Sequence, residues 1–345
     1  MPTRSSAVQA VQIGKETTPG TPVAATRRLS SIGLTMKAEA DTSDFRPSGN
    51  KFVTVVAENK AWSSAKVEGS PTYEEVIVPL ASVFTAPVTT QVMDGATGTG
   101  AYKHVFSPKS EGADSPITYT VETGDSTYGL MASLGFFGEF SLDIARDEVK
   151  MGGELTATRL TPRTLTAGLT GPATLTPILP GQVCIYLADK PADLGLTTGT
   201  GVRLQNVLSA KPSVKKRYEP TWFLNCMAES YTGFVENAEP DFEVEFLAEA
   251  DAEGMKWLDR LKLGTTMFLR IEATGPVIAA KSKYPGLTAD VPAKLTWDFA
   301  VKVSDPGDFS DEDGVYAIGP TLTVVHDAAW GRATQVTVQN TTAAI

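Results

Sequence analysis

Cysteine and histidine are almost missing from this chain, with two of each in 345 residues. No C-x-x-C pair, H-E-x-x-H motif or histidine cluster occurs. The ligands of a structural zinc site and the bases of a His-driven hydrolase are therefore lacking. Cys184 sits in Val183-Cys184-Ile185-Tyr186 and Cys226 in Phe223-Leu224-Asn225-Cys226-Met227, so both read as small core residues. His104 and His326 lie far apart near strand ends and read as solvated or locally satisfied imidazoles. No apolar run reaches the roughly 18 residues of a membrane-spanning helix, and MPTRSSAVQAVQIGKETTPG lacks the apolar stretch of a secretory signal. Basic residues are outnumbered, 30 Lys+Arg against 40 Asp+Glu, for a formal charge of −10. That balance excludes a basic face wrapped around nucleic acid, and nearby DNA should be repelled.

What is present is a core-forming composition: 42% hydrophobic residues, with 14 Phe, 9 Tyr and 5 Trp. The apolar residues recur with period two. Leu295, Trp297, Phe299, Val301 and Val303 alternate with Thr296, Asp298, Ala300 and Lys302, and the same alternation runs through Phe140, Leu142, Ile144 and through Phe242, Val244, Phe246. Burial on one face only predicts antiparallel sheets in an all-β sandwich or barrel. One segment departs: from Ala248 to Leu263, Met255, Leu258 and Leu261 take helical spacing. Acids lead, bases follow and Gly264 ends the run, which predicts one amphipathic helix.

A Thr/Gly/Pro-rich stretch, residues 161–181, reads as a linker between similar halves, 31–160 and 182–327. Each half runs strand, polar loop, two strands, an apolar or helical segment, then a closing strand pair, which predicts an internal duplication. In the first half only Leu80 to Phe84 stands where the second has a helix, and residues 85–116 form an insertion. Residues 1–30 and 328–345 read as polar arms that a monomer would leave frayed.

Chemical motifs are weak. Gly95 to Gly100 and Gly195 to Gly201 lack the Lys-Ser/Thr ending of a phosphate loop and read as loops. Asp305, Asp308, Asp311, Glu312 and Asp313 miss the EF-hand order and read as a solvated hairpin loop. The pairs Glu74-Glu75 and Glu243, Glu245 read as ordinary charges, with nothing to raise one pKa selectively. Glu236 to Glu253 carries eight acids and no base, whereas Lys211, Lys215, Lys216 and Arg217 cluster without an acid. In a ring or stack, such patches would fix register.

The segment Gln12-Ile13-Gly14-Lys15-Glu16-Thr17-Thr18-Pro19-Gly20-Thr21-Pro22-Val23-Ala24-Ala25 resembles the N-terminal G-x-E-x-x-x-G-T-x-x-A pattern of the tail tube (major tail) proteins of long-tailed bacteriophages. The order of elements is similar over nearly the whole chain. The resemblance implies a β-sandwich or barrel with one flanking helix per tube domain, and side-by-side association into rings whose inner sheets join around a lumen. Single-domain members form hexamers and two-domain members pseudo-hexameric trimers, so a duplication favours the trimer. It also implies stacking loops at Thr42 to Trp62 and Ser213 to Tyr231, with Phe45, Arg46, Lys51, Lys215, Lys216, Arg217 and Tyr218 at the ring contacts. Lys15, Glu16, Arg27 and Arg28 would belong to an inter-subunit arm. The implied partners are other copies, a tape measure protein and tail terminator and tip proteins. Viral DNA would transit the lumen unbound, and no cofactor, metal, membrane or catalytic activity is implied. The expected location is the virion tail, reached from the host cytoplasm. The rival readings are a capsid decoration or receptor-binding β-protein, and a carbohydrate hydrolase using Glu243 and Glu245.

Overall fold

A computed structural model describes residues 9–125, 127–224, 230–251 and 254–345. The first half contains β1 (Ala10–Lys15), β2 (Arg27–Leu29), β3 (Gly33–Phe45), β4 (Val55–Gly69), α1 (Ile77–Val83), β5 (Val88–Asp94), β6 (Thr97–Phe106), β7 (Tyr119–Gly124), β8 (Gly129–Ala145), β9 (Val149–Ala157) and β10 (Thr161–Arg163). The second contains β11 (Val183–Ala188), β12 (Val202–Leu204), β13 (Val207–Lys215), β14 (Tyr218–Thr221), β15 (Gly233–Glu236), β16 (Asp241–Glu249), α2 (Lys256–Leu263), β17 (Met267–Ala279), β18 (Val291–Asp305), β19 (Phe309–Glu312), β20 (Val315–Ile318), β21 (Thr321–Val324) and β22 (Thr334–Asn340). Strands take 53% of the chain against two α-helices among the described residues, so the molecule is all-β with few flanking helices. All pairings are antiparallel, in one 20-stranded network plus the two-stranded β14–β15.

Alternation decides the core. On β18, Leu295, Trp297, Phe299, Val301 and Val303 are all buried. The strand is central, with β17 on one edge and β22 and then β21 on the other. The other tracts seen in the sequence, such as Phe140, Leu142, Ile144 and Val244, Phe246, face the same core.

The halves pair in the same order. In the first, β2-β1-β7-β8-β10 form one run, and β3-β4-β9 continue from the far part of β8. In the second, β12-β11-β17-β18-β22 form one run and β13-β16-β21 continue to the far part of β18. Strands β19 and β20 prolong β18 and β21 past Pro306-Gly307 and Gly319-Pro320. The β5–β6 hairpin is an addition to this shared plan.

Several local readings are corrected. The first half does hold a helix: α1 is buried at all seven positions. Its Pro79 lies in the first turn, where the missing N–H costs little, and the uniform hydrophobicity left no helical stripe to read. The second helix is shorter than expected, because Ala248 and Glu249 still pair as strand with Ile318 and Ala317. It does end at Gly264, whose φ is 59°. Residues 1–8 lie outside the described residues, and the rest of the expected arms is built into the sheets. β1 lies between β2 and β7 with Ile13 buried, and β22 lies between β18 and β6 with Val336 and Val338 buried. Residues 161–181 are strapped to the first half: Thr166 N–H bonds Glu122, Thr176 N–H bonds Glu74 and Ile178 N–H bonds Pro71. The core reading of Cys226 falls outside the described residues, whereas Cys184 is free and half-buried.

Candidate assembly surfaces

The N-terminal glycine-glutamate pattern closes a loop within the chain. Strand β1 delivers Glu16 into the interior, where its carboxylate accepts from Gly20 N–H and Leu134 N–H at 2.8 Å, Thr118 Oγ1 at 2.9 Å and Thr120 Oγ1 at 3.0 Å. Gly20 sits at φ 82°, a backbone that favours glycine. At Gly14 a Cβ would lie 2.5 Å from the Ala24 carbonyl oxygen. Glu16 is therefore removed from the set of inter-subunit residues. Lys15 is exposed at the end of β1. Arg27, on β2, donates to the Ala344 carbonyl at 2.9 Å, and burial lowers its pKa. Arg28 is half-buried beside it, opposite Gln12.

The residues assigned to stacking divide into two groups. Phe45, Arg46 and Lys51 sit on the β3–β4 hairpin, which leaves the body as an exposed ribbon. Phe45 is 62% exposed, Phe52 79% and Val56 62%, with Val53 and Val55 also exposed. Arg46 Nε donates to the Asn50 carbonyl and shapes the tip. Phe52, Val53, Val55 and Val56 went unremarked in the sequence, although so many apolar residues inside a turn region are a visible anomaly.

In the other group Arg217 and Tyr218 are buried, Lys215 is half-buried and Lys216 is exposed. Lys215 reaches Glu243 across the strand pair at 3.8 Å, and Lys211 reaches Glu245 at 3.6 Å. The basic and acidic clusters of the sequence thus partly neutralise each other within one chain. Lys216 occupies a left-handed turn at φ 52°. Arg217 is buried, ion-paired with Asp114 and, at 2.8 Å, with Glu236, and stacked on Tyr218 and Phe242. Burial pushes the Asp114 carboxyl up while Arg217 pulls it down. Tyr218 Oη donates to the Phe84 carbonyl at 2.9 Å. Arg217 and Tyr218 therefore join the two halves of one molecule and are not free for stacking.

That joint is a sheet joint. The far part of β8 pairs with β13, with Phe140 opposite Val214 and Ala145 opposite Ser209. The core crosses with it, since Trp297 of the second half packs against Phe84 and Phe140 of the first at 5.8 and 6.1 Å.

One face of the joined sheet is wet. The ion pairs Lys37–Glu39 and Lys66–Glu68, with Lys211 and Lys215, line a groove of about 970 Å³. Glu154 lies there too, its pKa raised by burial and then by Glu139 and Glu39. Beyond it, Asp305 and Asp311 accept from the N–H groups of Gly307 and Gly314, and Asp313 pairs with Arg146. Among the described residues no group of three or more His, Cys, Asp or Glu is placed to hold a metal ion, and no helix is long and apolar enough to cross a membrane. Glu243 and Glu245 have lysine partners. The glycine clusters form the β5–β6 turn and a loop in which Asp193 accepts from Thr200.

No protein-family model matches the chain, and no curated protein is significantly similar to it in sequence.

Proposed function

We propose that the chain is a structural subunit that polymerises through its sheet edges into stacked rings, as the building block of a phage tail tube. The observation that carries this reading is the internal joint. Unit one offers the far edge of β8 and unit two docks the outer edge of β13 on it. The same plan leaves two edges of one chain free. Among the described residues β3, the counterpart of β13, pairs only with β4, and β19, which prolongs the counterpart of β8, pairs only with β20. An edge that repeats the geometry of a joint already made in the molecule is a template for the next copy. Adding copies by the same rotation closes a ring, and three two-unit chains would give six units. A negative chain suits a lumen that passes DNA without holding phosphates. Tape measure, terminator and tip proteins would be its partners at the tube interior and ends.

Electron microscopy and light scattering of the purified chain test this reading. Hollow rings or filaments with a mass that is a multiple of three chains are the expected result. A chain that remains monomeric at the highest soluble concentration overturns it, and a closed trimer that binds glycans or cell surfaces without polymerising returns the reading to a receptor-binding protein.

A further inference from the structure

We propose that the tip of the β3–β4 hairpin seats laterally on the second unit of a neighbouring copy in the same ring, against the face bounded by Leu263, Lys302 and His326. This rests on the assembly reading above and names the partner of its most exposed apolar element.

The second unit contains its own version of this hairpin. β13 breaks at Lys216, and the ribbon β14–β15 then pairs Tyr218 with Glu236 through Thr221 with Gly233. β3 breaks at the equivalent place, a register shift between Asp41 and Thr42, after which Thr42 pairs with Glu58 through Phe45 with Val55. The β14–β15 ribbon has a bed. Tyr231 Oη donates to the Leu134 carbonyl, Ser230 Oγ to the Ala61 carbonyl, and Phe234 packs on Phe136 with ring centroids 5.1 Å apart. All three bed residues belong to the first unit. Among the described residues the β3–β4 ribbon has no such bed: Glu58 at its base pairs with Arg159, while Phe45, Phe52, Val53, Val55 and Val56 stand in water.

The shared registers say where the missing bed lies. Leu155 opposite Phe137 corresponds to Leu322 opposite Val303. On that alignment Leu134 and Phe136 correspond to Ala300 and Lys302, Arg159 to His326, and Val83 at the end of α1 to Leu263 at the end of α2. Leu263 is 71% exposed, and Lys302 and His326 are exposed. A neighbour joined through β3 and β19 brings this face to the hairpin by the rotation that already relates the two units.

The test is a disulfide between Val56 and Lys302, the counterparts of Phe234 and Phe136. The variant V56C/K302C, in a C184S/C226S background, is oxidised and single rings are isolated by size. Covalent multimers from single rings are the expected result. Rings that assemble without this bridge, or that bridge only after stacking, overturn the lateral docking and leave the assembly reading intact. A chain that forms no rings removes both. Independently, F45S/F52S, judged folded by circular dichroism, should raise the concentration needed for ring formation at least about tenfold; unchanged assembly overturns the proposal.

Discussion

Buried carboxylates are the residues that hold the loops of this fold in place. Glu16, Glu74, Glu75 and Glu122 are all buried, and each accepts backbone N–H groups from a connecting segment. Glu75 takes both Ser30 and Ser31 N–H. An amide cannot replace such a group, because its NH₂ would face another donor. Glu16→Gln is expected to cost about 2–4 kcal/mol, read as a lower urea midpoint at unchanged slope. His104 follows the same logic without charge. Its Nε2 faces the Asn340 side-chain oxygen and the Thr342 carbonyl, so it carries the proton, and Nδ1 accepts from Thr89. Burial lowers its pKa, and Arg27 adds to this. Stability from the neutral ring is complete above the unfolded value near 6.5. It is lost as pH falls from there toward the depressed folded value, because only the unfolded chain takes up the proton. The slope approaches about 1.4 kcal/mol per pH unit. Urea titrations at pH 7.5, 6.5 and 5.5 should show this loss in the wild type and a flatter profile in His104→Gln.

Elements that looked dispensable are integral to the sheets. β1 and β2 supply Ala10, Ile13 and Leu29 to the interior, and β22 fills the gap between β18 and β6. Removing residues 1–31 should therefore abolish cooperative unfolding by circular dichroism, since it strips β1 from β7 and leaves Glu75 without its donors Ser30 and Ser31. Retention of a sharp transition would show that β7 and α1 are stable without this cover. The long strands were legible because alternation over many residues marks a face turned to the core, although on β18 the intervening Thr296, Asp298 and Ala300 are buried as well. The terminal strands were not, because six or seven residues of mixed Thr, Gln and Val look the same in a coil. α1 escaped for the opposite reason: a helix surrounded by core has no polar side to mark its period.

Across the whole molecule, the two halves behave as one packed body. The sheet passes from β8 into β13, and Trp297 meets Phe84 and Phe140 beneath that junction. Arg217 locks the same junction from the side, with the Asp114 side chain fully buried. Arg217→Ala strands that carboxylate and should cost about 3–5 kcal/mol. Arg217→Ala with Asp114→Asn should recover part of the loss, because no buried charge is left alone. A single unfolding transition that moves as a unit in both variants is the expected calorimetric result, and two separated transitions would mean that the halves unfold independently.

By itself, the sequence determined the all-β architecture, the main core strands and the glycine that ends the second helix. Each follows from local periodicity or a local backbone requirement. Only the tertiary structure decided the roles of Glu16, Arg217 and Tyr218, because their partners lie about a hundred residues away and no local pattern encodes a distant donor. It also decided which charges cancel and which sheet edges stay open, since both depend on the neighbours that folding supplies.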